Sequence, residues 1–133
     1  MAAPSDKPVL KVSTAVVTLD VYSGRPNPTW RLSEPTTAEL LRRLQTLDAS
    51  KVQVPKNEDL GYRAVSAELQ EQTKDVVVVT ASRGIVTLDK SGEQFRYADP
   101  GRQFELWLVN TGADHLTPDI LRYVVGEIAS KLQ

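Results

Sequence analysis

The sequence predicts an α+β domain: an antiparallel sheet of about five strands with three helices packed mainly on one face. Three observations carry this. Val17, Leu19 and Val21 alternate with Thr18, Asp20 and Tyr22, the period of a half-buried strand. Leu40, Leu44 and Leu47 fall on one helical stripe. The last third of the chain holds two helix starts, each a capping residue followed by proline, at Asp99-Pro100 and Thr117-Pro118.

Taken in order, residues 1–9 hold two prolines among small polar residues and read as a flexible arm before a single domain at 10–133. "LKVSTAVVTLDVY" is the first strand. Leu10 and Val12 sit out of phase with Val17, so a bulge is expected near Thr14 to Val16, or else a separate edge segment at 9–13. "SGRPNP" then stops the pairing. Gly24 permits a backbone angle closed to other residues, and Pro26 and Pro28 cannot donate to a ladder. Trp30 and Leu32 resume the alternation, so the segment reads as a hairpin with a rigid polar connection, anchored by Trp30.

The first helix, in "SEPTTAELLRRLQTL", is expected to open on a Thr36–Glu39 capping box near Pro35. Residues 48–61 read as loop, with a short strand at Val52 to Val54. "YRAVSAELQ" fits a strand or a weak helix, and the strand is favoured, with Val65, Ala67 and Leu69 on one face. The four valines of "DVVVVTA" suggest a central strand covered on both faces, with Lys74 and Asp75 as gatekeepers against aggregation. "IVTLD" and "EQFRY" are strands joined across Lys90-Ser91-Gly92. In the next helix Phe104, Trp107, Leu108 and Thr111 form a stripe, and Gly112 stands where a C-terminal glycine ends a helix. The last helix buries Leu121, Val124, Val125, Ile128 and Leu132, with Leu116 and Leu121 spaced as a hydrophobic staple.

Composition narrows the function classes. The 133 residues suit one domain, and 16 Lys and Arg against 17 Asp and Glu give a net charge of -1. That balance lacks the basic field of a nucleic-acid binder or a polybasic membrane surface. With no cysteine, disulfides, thiolate metal sites and cysteine nucleophiles are excluded. No apolar run approaches membrane-spanning length and the N-terminus has no signal-peptide pattern, so a soluble, cytoplasmic protein is the default expectation.

Catalytic motifs are missing. His115 is the single histidine, between two helices, and reads as a surface residue. There is no G-x-S-x-G, no phosphate loop and no G-x-G-x-x-G, so no catalytic residue, cofactor or metal ligand is assigned. Asp20, Glu34, Glu58 and Asp59 qualify as acid–base groups by type only. One constellation stands out. Tyr22-Ser23-Gly24-Arg25 and Gly61-Tyr62-Arg63 each set a tyrosine and an arginine beside a glycine. Arginine offers a planar donor fork, tyrosine a face and a hydroxyl. If the segments meet, Asp20, Tyr22, Arg25, Asn27, Tyr62 and Arg63 could bind a carboxylate, a phosphate or a partner's acidic loop. The simpler alternative pairs each arginine with a local acid such as Asp20 or Asp59, and makes each tyrosine a lid on the core. Trp30, Trp107, Phe95, Phe104 and Tyr97 are spaced as packing residues. Arg42, Arg43 and Lys51 read as a solvated helix face and its exit.

The segments "DVYSGRPNPTW", "LGYR" and "DPGRQFELWLVNTG" resemble, in that order, those of a set of small proteins sharing S-G-R-P-N-P-x-W, L-G-Y-R-G and D-P-G-R. The resemblance runs from about Val17 onward and implies no activity, substrate or cofactor. Ala64 departs from it, standing where the pattern has glycine.

The function expected is a non-catalytic protein-binding or assembly module, alone or as one subunit of a larger complex, with a protein partner or self-association. The arm, taken to residue 14, is a candidate added strand for a neighbour, and the Arg25–Asn27 loop a candidate recognition tip. The alternatives are a small acid–base enzyme, with Arg25 and Arg63 stabilising charge beside Asp20 or Tyr22, and a small-ligand carrier at the Tyr22/Arg25/Tyr62/Arg63 region.

Overall fold

The structure is a computed structural model, and it describes residues 10–22, 24–49, 61–72 and 75–130. Six strands form one antiparallel sheet: β1 (Val12–Asp20), β2 (Thr29–Arg31), β3 (Ala64–Glu71), β4 (Val76–Ser82), β5 (Ile85–Lys90) and β6 (Glu93–Ala98). Three helices accompany them: α1 (Glu34–Thr46), α2 (Gln103–Asn110) and α3 (Pro118–Ser130), with a 3-10 turn at Pro100–Arg102 just before α2. The class is therefore α+β as expected, with six strands in place of about five. The expected arm at 1–9, the strand at Val52 to Val54, Lys51, Glu58, Asp59, Lys74 and Leu132 lie outside the described residues.

The strand order is β2-β1-β3-β4-β5-β6. Each hairpin follows from a short turn in sequence; only α1 interrupts the meander. After α1 the chain returns as β3 on the other side of β1, leaving the three-residue β2 at the edge. The exit of α1 lies far from its entry. Leu32, just before it, donates to the Ala15 carbonyl at 2.9 Å, whereas Asp48, just after it, accepts from the Ala98 amide at 2.8 Å and Ala49 bridges Tyr97. The helix thus runs from the β2 edge to the β6 edge. Its 13 residues span about 20 Å, close to the roughly 24 Å of five strand spacings.

The inward positions of β1, β3 and β4 are fully buried: Ala15, Val17 and Leu19, then Val65, Ala67 and Leu69, then Val77, Val79 and Ala81. They join Leu40 and Leu44 of α1, Phe104, Leu108 and Val109 of α2, and Val124 and Ile128 of α3 in one cluster. Apolar area removed from water here is the main stabilising term.

Several local expectations change. The register between β1 and β3 shifts between Val12 and Thr14, so the irregularity falls slightly earlier than expected. Val12 and Thr14 already pair within the chain with Glu71 and Gln70, which removes that stretch from any free arm. The four valines of β4 alternate: Val77 and Val79 are buried, while Val76 is 48% exposed. The strand is central, yet only one face is deeply covered, as antiparallel sheets allow. Helix α1 opens on Ser33, whose hydroxyl accepts from the Thr36 amide at 3.3 Å, one turn before the expected box. Glu39 is engaged instead by Arg42 and Arg43, at 2.5 and 2.7 Å. Trp107 and Phe95 are half-buried; Arg43 lies over the Trp107 ring, 4.7 Å from its centre.

Gly112 also has a different task. Its backbone is not left-handed. A Cβ there would stand 2.5 Å from two atoms of the Trp30 ring, so the glycine lets the indole lie on the chain at the end of α2. The indole N–H then donates to the Thr111 hydroxyl at 2.9 Å. This satisfies the one polar atom of a buried tryptophan and pins the hairpin to α2.

Candidate functional site

Most of the predicted site residues gather at one end of the sheet. There β1 ends at Asp20, β3 begins at Ala64 opposite it, β4 turns into β5 across Arg83-Gly84, and β6 ends at Ala98. Hydrogen bonds run along this rim. Arg63 N–H donates to the Asp20 carbonyl at 2.9 Å, Ser82 Oγ donates to the Arg63 carbonyl at 2.9 Å, and Asp99 N–H donates to the Gly84 carbonyl at 2.7 Å.

The β1–β2 loop is set by its own side chains. Asn27 Oδ1 accepts from the amides of Val21 and Tyr22 at 3.0 and 2.8 Å. These amides would otherwise lose their partners as β1 leaves the sheet, and an asparagine carbonyl replaces the missing strand. The Leu19 amide donates to the Pro28 carbonyl at 3.0 Å and closes the base. Gly24, with φ of 83°, makes the turn. Arg25 is exposed, and its guanidinium lies 3.8 Å from the centre of the Tyr22 ring. A contact of that kind is attractive by about 0.5–1 kcal/mol at an exposed site. Asp20 Oδ1 accepts from Arg63 Nη2 at 3.2 Å, and Asn27 Nδ2 stands 3.5 Å from the same oxygen. The Asp20 and Arg63 side chains are 41% and 34% exposed, so water screens the pair.

Five of the six predicted site residues, Asp20, Tyr22, Arg25, Asn27 and Arg63, therefore belong to one connected cluster. The sixth, Tyr62, turns inward. It is 6% exposed and its hydroxyl donates to Glu105 Oε2. Glu105, wholly buried, receives a bidentate guanidinium: Arg102 Nε donates to Oε1 at 2.8 Å and Nη2 to Oε2 at 2.7 Å. Asp99, also buried, accepts from the amides of Phe104 and Glu105 at 2.8 and 3.0 Å, which satisfies the start of α2 from five and six residues back. Asp99 thus caps α2 across the 3-10 turn rather than at its first residue.

Burial and charge fix the protonation of this second cluster. Burial, then the Glu105 carboxylate, push the Tyr62 phenol far above its usual range, so it remains a donor. Burial also pushes the Asp99 carboxyl up, against the pull of its two amide donors. Burial opposes the charge on Arg102, but its hydrogen bonds to Glu105, together with the nearby acidic groups, outweigh it and raise its pKa, so the cation persists. Both Glu105 oxygens are occupied by donors from its own chain, and the arrangement works as an internal crosslink between the start of β3 and the start of α2. Gly101 and Arg102 have φ of 64° and 54°, and this left-handed pair aims the guanidinium back at Glu105.

Arg102 and Glu105 escaped the sequence reading. A signal was present: Glu105 shares a helical stripe with Leu108 and Val109, and an acid on an apolar stripe implies a buried partner. Gly61, with φ of 85°, is held close by α3, because a Cβ there would collide with the Tyr123 hydroxyl. Among the described residues no three His, Asp or Glu side chains stand together as a metal site, and no helix is long and apolar enough to cross a membrane. Comparison of the chain with protein-family models, with curated proteins and with solved structures gave no match, so the functional reading rests on these residues alone.

Proposed function

We propose that the protein is a non-catalytic recognition module whose contact point is the β1–β2 loop. The observation that carries this reading is Arg25, an exposed guanidinium stacked on Tyr22 in a loop already fixed by Asn27 and two prolines. A preset loop loses little entropy when it binds, and arginine beside an aromatic ring is typical of residues that dominate interfaces. Asp20 and Arg63 form the floor of the tip. An acid–base role for Asp20 is less favoured, because its Oδ1 is engaged by Arg63 and Asn27.

Native mass spectrometry of the protein purified gently from its host tests the reading. The wild-type chain is expected to carry a partner, and the Arg25→Ala/Asn27→Ala/Arg63→Ala variant, folded by circular dichroism, is expected to lose it. An unchanged complex in the folded variant would place recognition elsewhere, and a bare wild-type monomer would remove the assembly reading.

A further inference from the structure

We infer that two copies of this chain pair through the outer face of the sheet, across β1, as a transient symmetric dimer. This surface is separate from the β1–β2 loop. The inward residues of β1, Ala15, Val17 and Leu19, share one core cluster with residues of all three helices. The alternate residues point the other way, to a face that none of those helices covers. Exposed apolar side chains gather there. Of the three large ones among the described residues, two stand on this face: Val16 of β1, 37% exposed, and Val76 of β4, 48% exposed.

Val16 is flanked by charge on both sides. Its register partner on β2 is Arg31 and on β3 is Glu68. Cross-strand partners share a face, so the three side chains form one row of cation, valine and anion, in steps of about 4.8 Å. Arg31 and Glu68 are both exposed, and among the described residues neither side chain has an ion pair or a hydrogen bond. The order of the row selects the occupant. Turned by half a rotation about an axis along β1, it reads anion, valine, cation. A second copy laid face to face therefore sets each Arg31 against the other copy's Glu68, and Val16 against Val16. This is the self-complementarity that a two-fold interface requires. Sheets packed in this way are nearly aligned and stand about 10 Å apart, a gap that opposed arginine and glutamate side chains bridge. The neighbouring row is uncharged, with Thr18 between Thr29 and Ser66. Asp89 and Arg96, on β5 and β6, fall beyond the overlap. Asp20 lies about 13 Å further along β1 and keeps its own contact with Arg63. Three strand widths by the nine residues of β1 cover at most about 14 by 30 Å, on the order of 400 Å² per copy. A standard interface buries about 800 Å² per partner, so this dimer forms and parts with concentration.

The test is sedimentation equilibrium of the full chain over a range of concentrations, for the wild type and two charge reversals. The wild-type mass is expected to rise from monomer towards dimer. Arg31→Glu and Glu68→Arg each set like charges opposite one another, and each is expected to weaken self-association by at least about tenfold while circular dichroism shows the fold kept. Mixed in equal amounts, the two variants are expected to recover it, because each supplies the charge that the other lacks. A wild type that stays monomeric at every concentration would overturn the inference. Self-association unchanged by both reversals would remove this face as the interface. Variants that stay apart when mixed would overturn the pairing of Arg31 with Glu68.

Discussion

Two clusters of the same residue types sit at one end of the same sheet, and solvent gives them opposite meanings. In the interior, Arg102, Glu105 and Tyr62 close on one another around a carboxylate with no exposure. At the rim, the Arg63 guanidinium meets the Asp20 carboxylate at 3.2 Å, both side chains more than a third exposed, while Arg25 rests on Tyr22. An ion pair in water is worth about 0–1 kcal/mol, whereas a buried charge that loses its partner costs about 3–5 kcal/mol. The buried cluster is therefore committed to the fold. The rim cluster, screened by water, contributes little to stability.

Breaking the interior cluster has the largest expected effect. Glu105→Ala strands the Arg102 guanidinium and the Tyr62 hydroxyl, and is expected to cost about 3–5 kcal/mol in urea unfolding. A loss below about 1 kcal/mol would mean that water reaches the cluster. Gly112→Ala comes next. The added methyl meets the Trp30 ring, and overpacking of that kind costs about 1–3 kcal/mol. A red shift of tryptophan fluorescence in the folded variant would report the displaced indole. Asn27→Ala removes one acceptor shared by two amides and is expected to cost about 1 kcal/mol. It should also speed hydrogen exchange at Val21 and Tyr22 without affecting β4.

Acidification separates carboxylates by sign. The Lys90 ammonium, 2.9 Å from Glu71, holds that carboxyl below its usual range. Its contribution is present above the ordinary carboxylate pKa and is lost as pH falls through the lowered folded-state value. Asp99, pushed up by burial, acts oppositely: the folded state binds the proton more tightly, so stability gains as pH falls through the raised value. Glu71→Gln should flatten the acid limb of the stability profile and Asp99→Asn should steepen it. The same change of slope in both would contradict the assignment. Arg25→Ala is the smallest, within about 0.5 kcal/mol of wild type, because an exposed side chain over a ring has little to lose.

The strands and helices were legible because their apolar residues recur with the right period: Val17–Leu19–Val21 for β1, Leu40 and Leu44 for α1. The hairpin around "SGRPNP" was legible because proline and glycine carry backbone rules of their own. Three things were not. The partial exposure of β4 was hidden because a run of valines looks alike whether one face or both are covered. The cap of α2 was displaced because Asp99 reaches over a 3-10 turn that depends on two left-handed residues, one of them an arginine. The split of the Tyr-Arg pair at 62–63 was hidden because adjacent residues at a strand start point to opposite sides, and only tertiary packing decides which one meets an acid in the core. The grouping of Asp20, Tyr22, Arg25 and Asn27 needed only local chain geometry and was readable; the Tyr62–Glu105 contact joins residues 43 positions apart and was not.

The most direct test neutralises one carboxylate in each cluster and leaves its shape: Glu105→Gln and Asp20→Asn, compared with wild type by urea unfolding under one buffer. The account predicts a loss of about 3 kcal/mol or more for Glu105→Gln and of less than about 1 kcal/mol for Asp20→Asn. Equal losses, or a larger one at Asp20, would contradict the division of this end of the sheet into a structural interior and a solvent-screened rim.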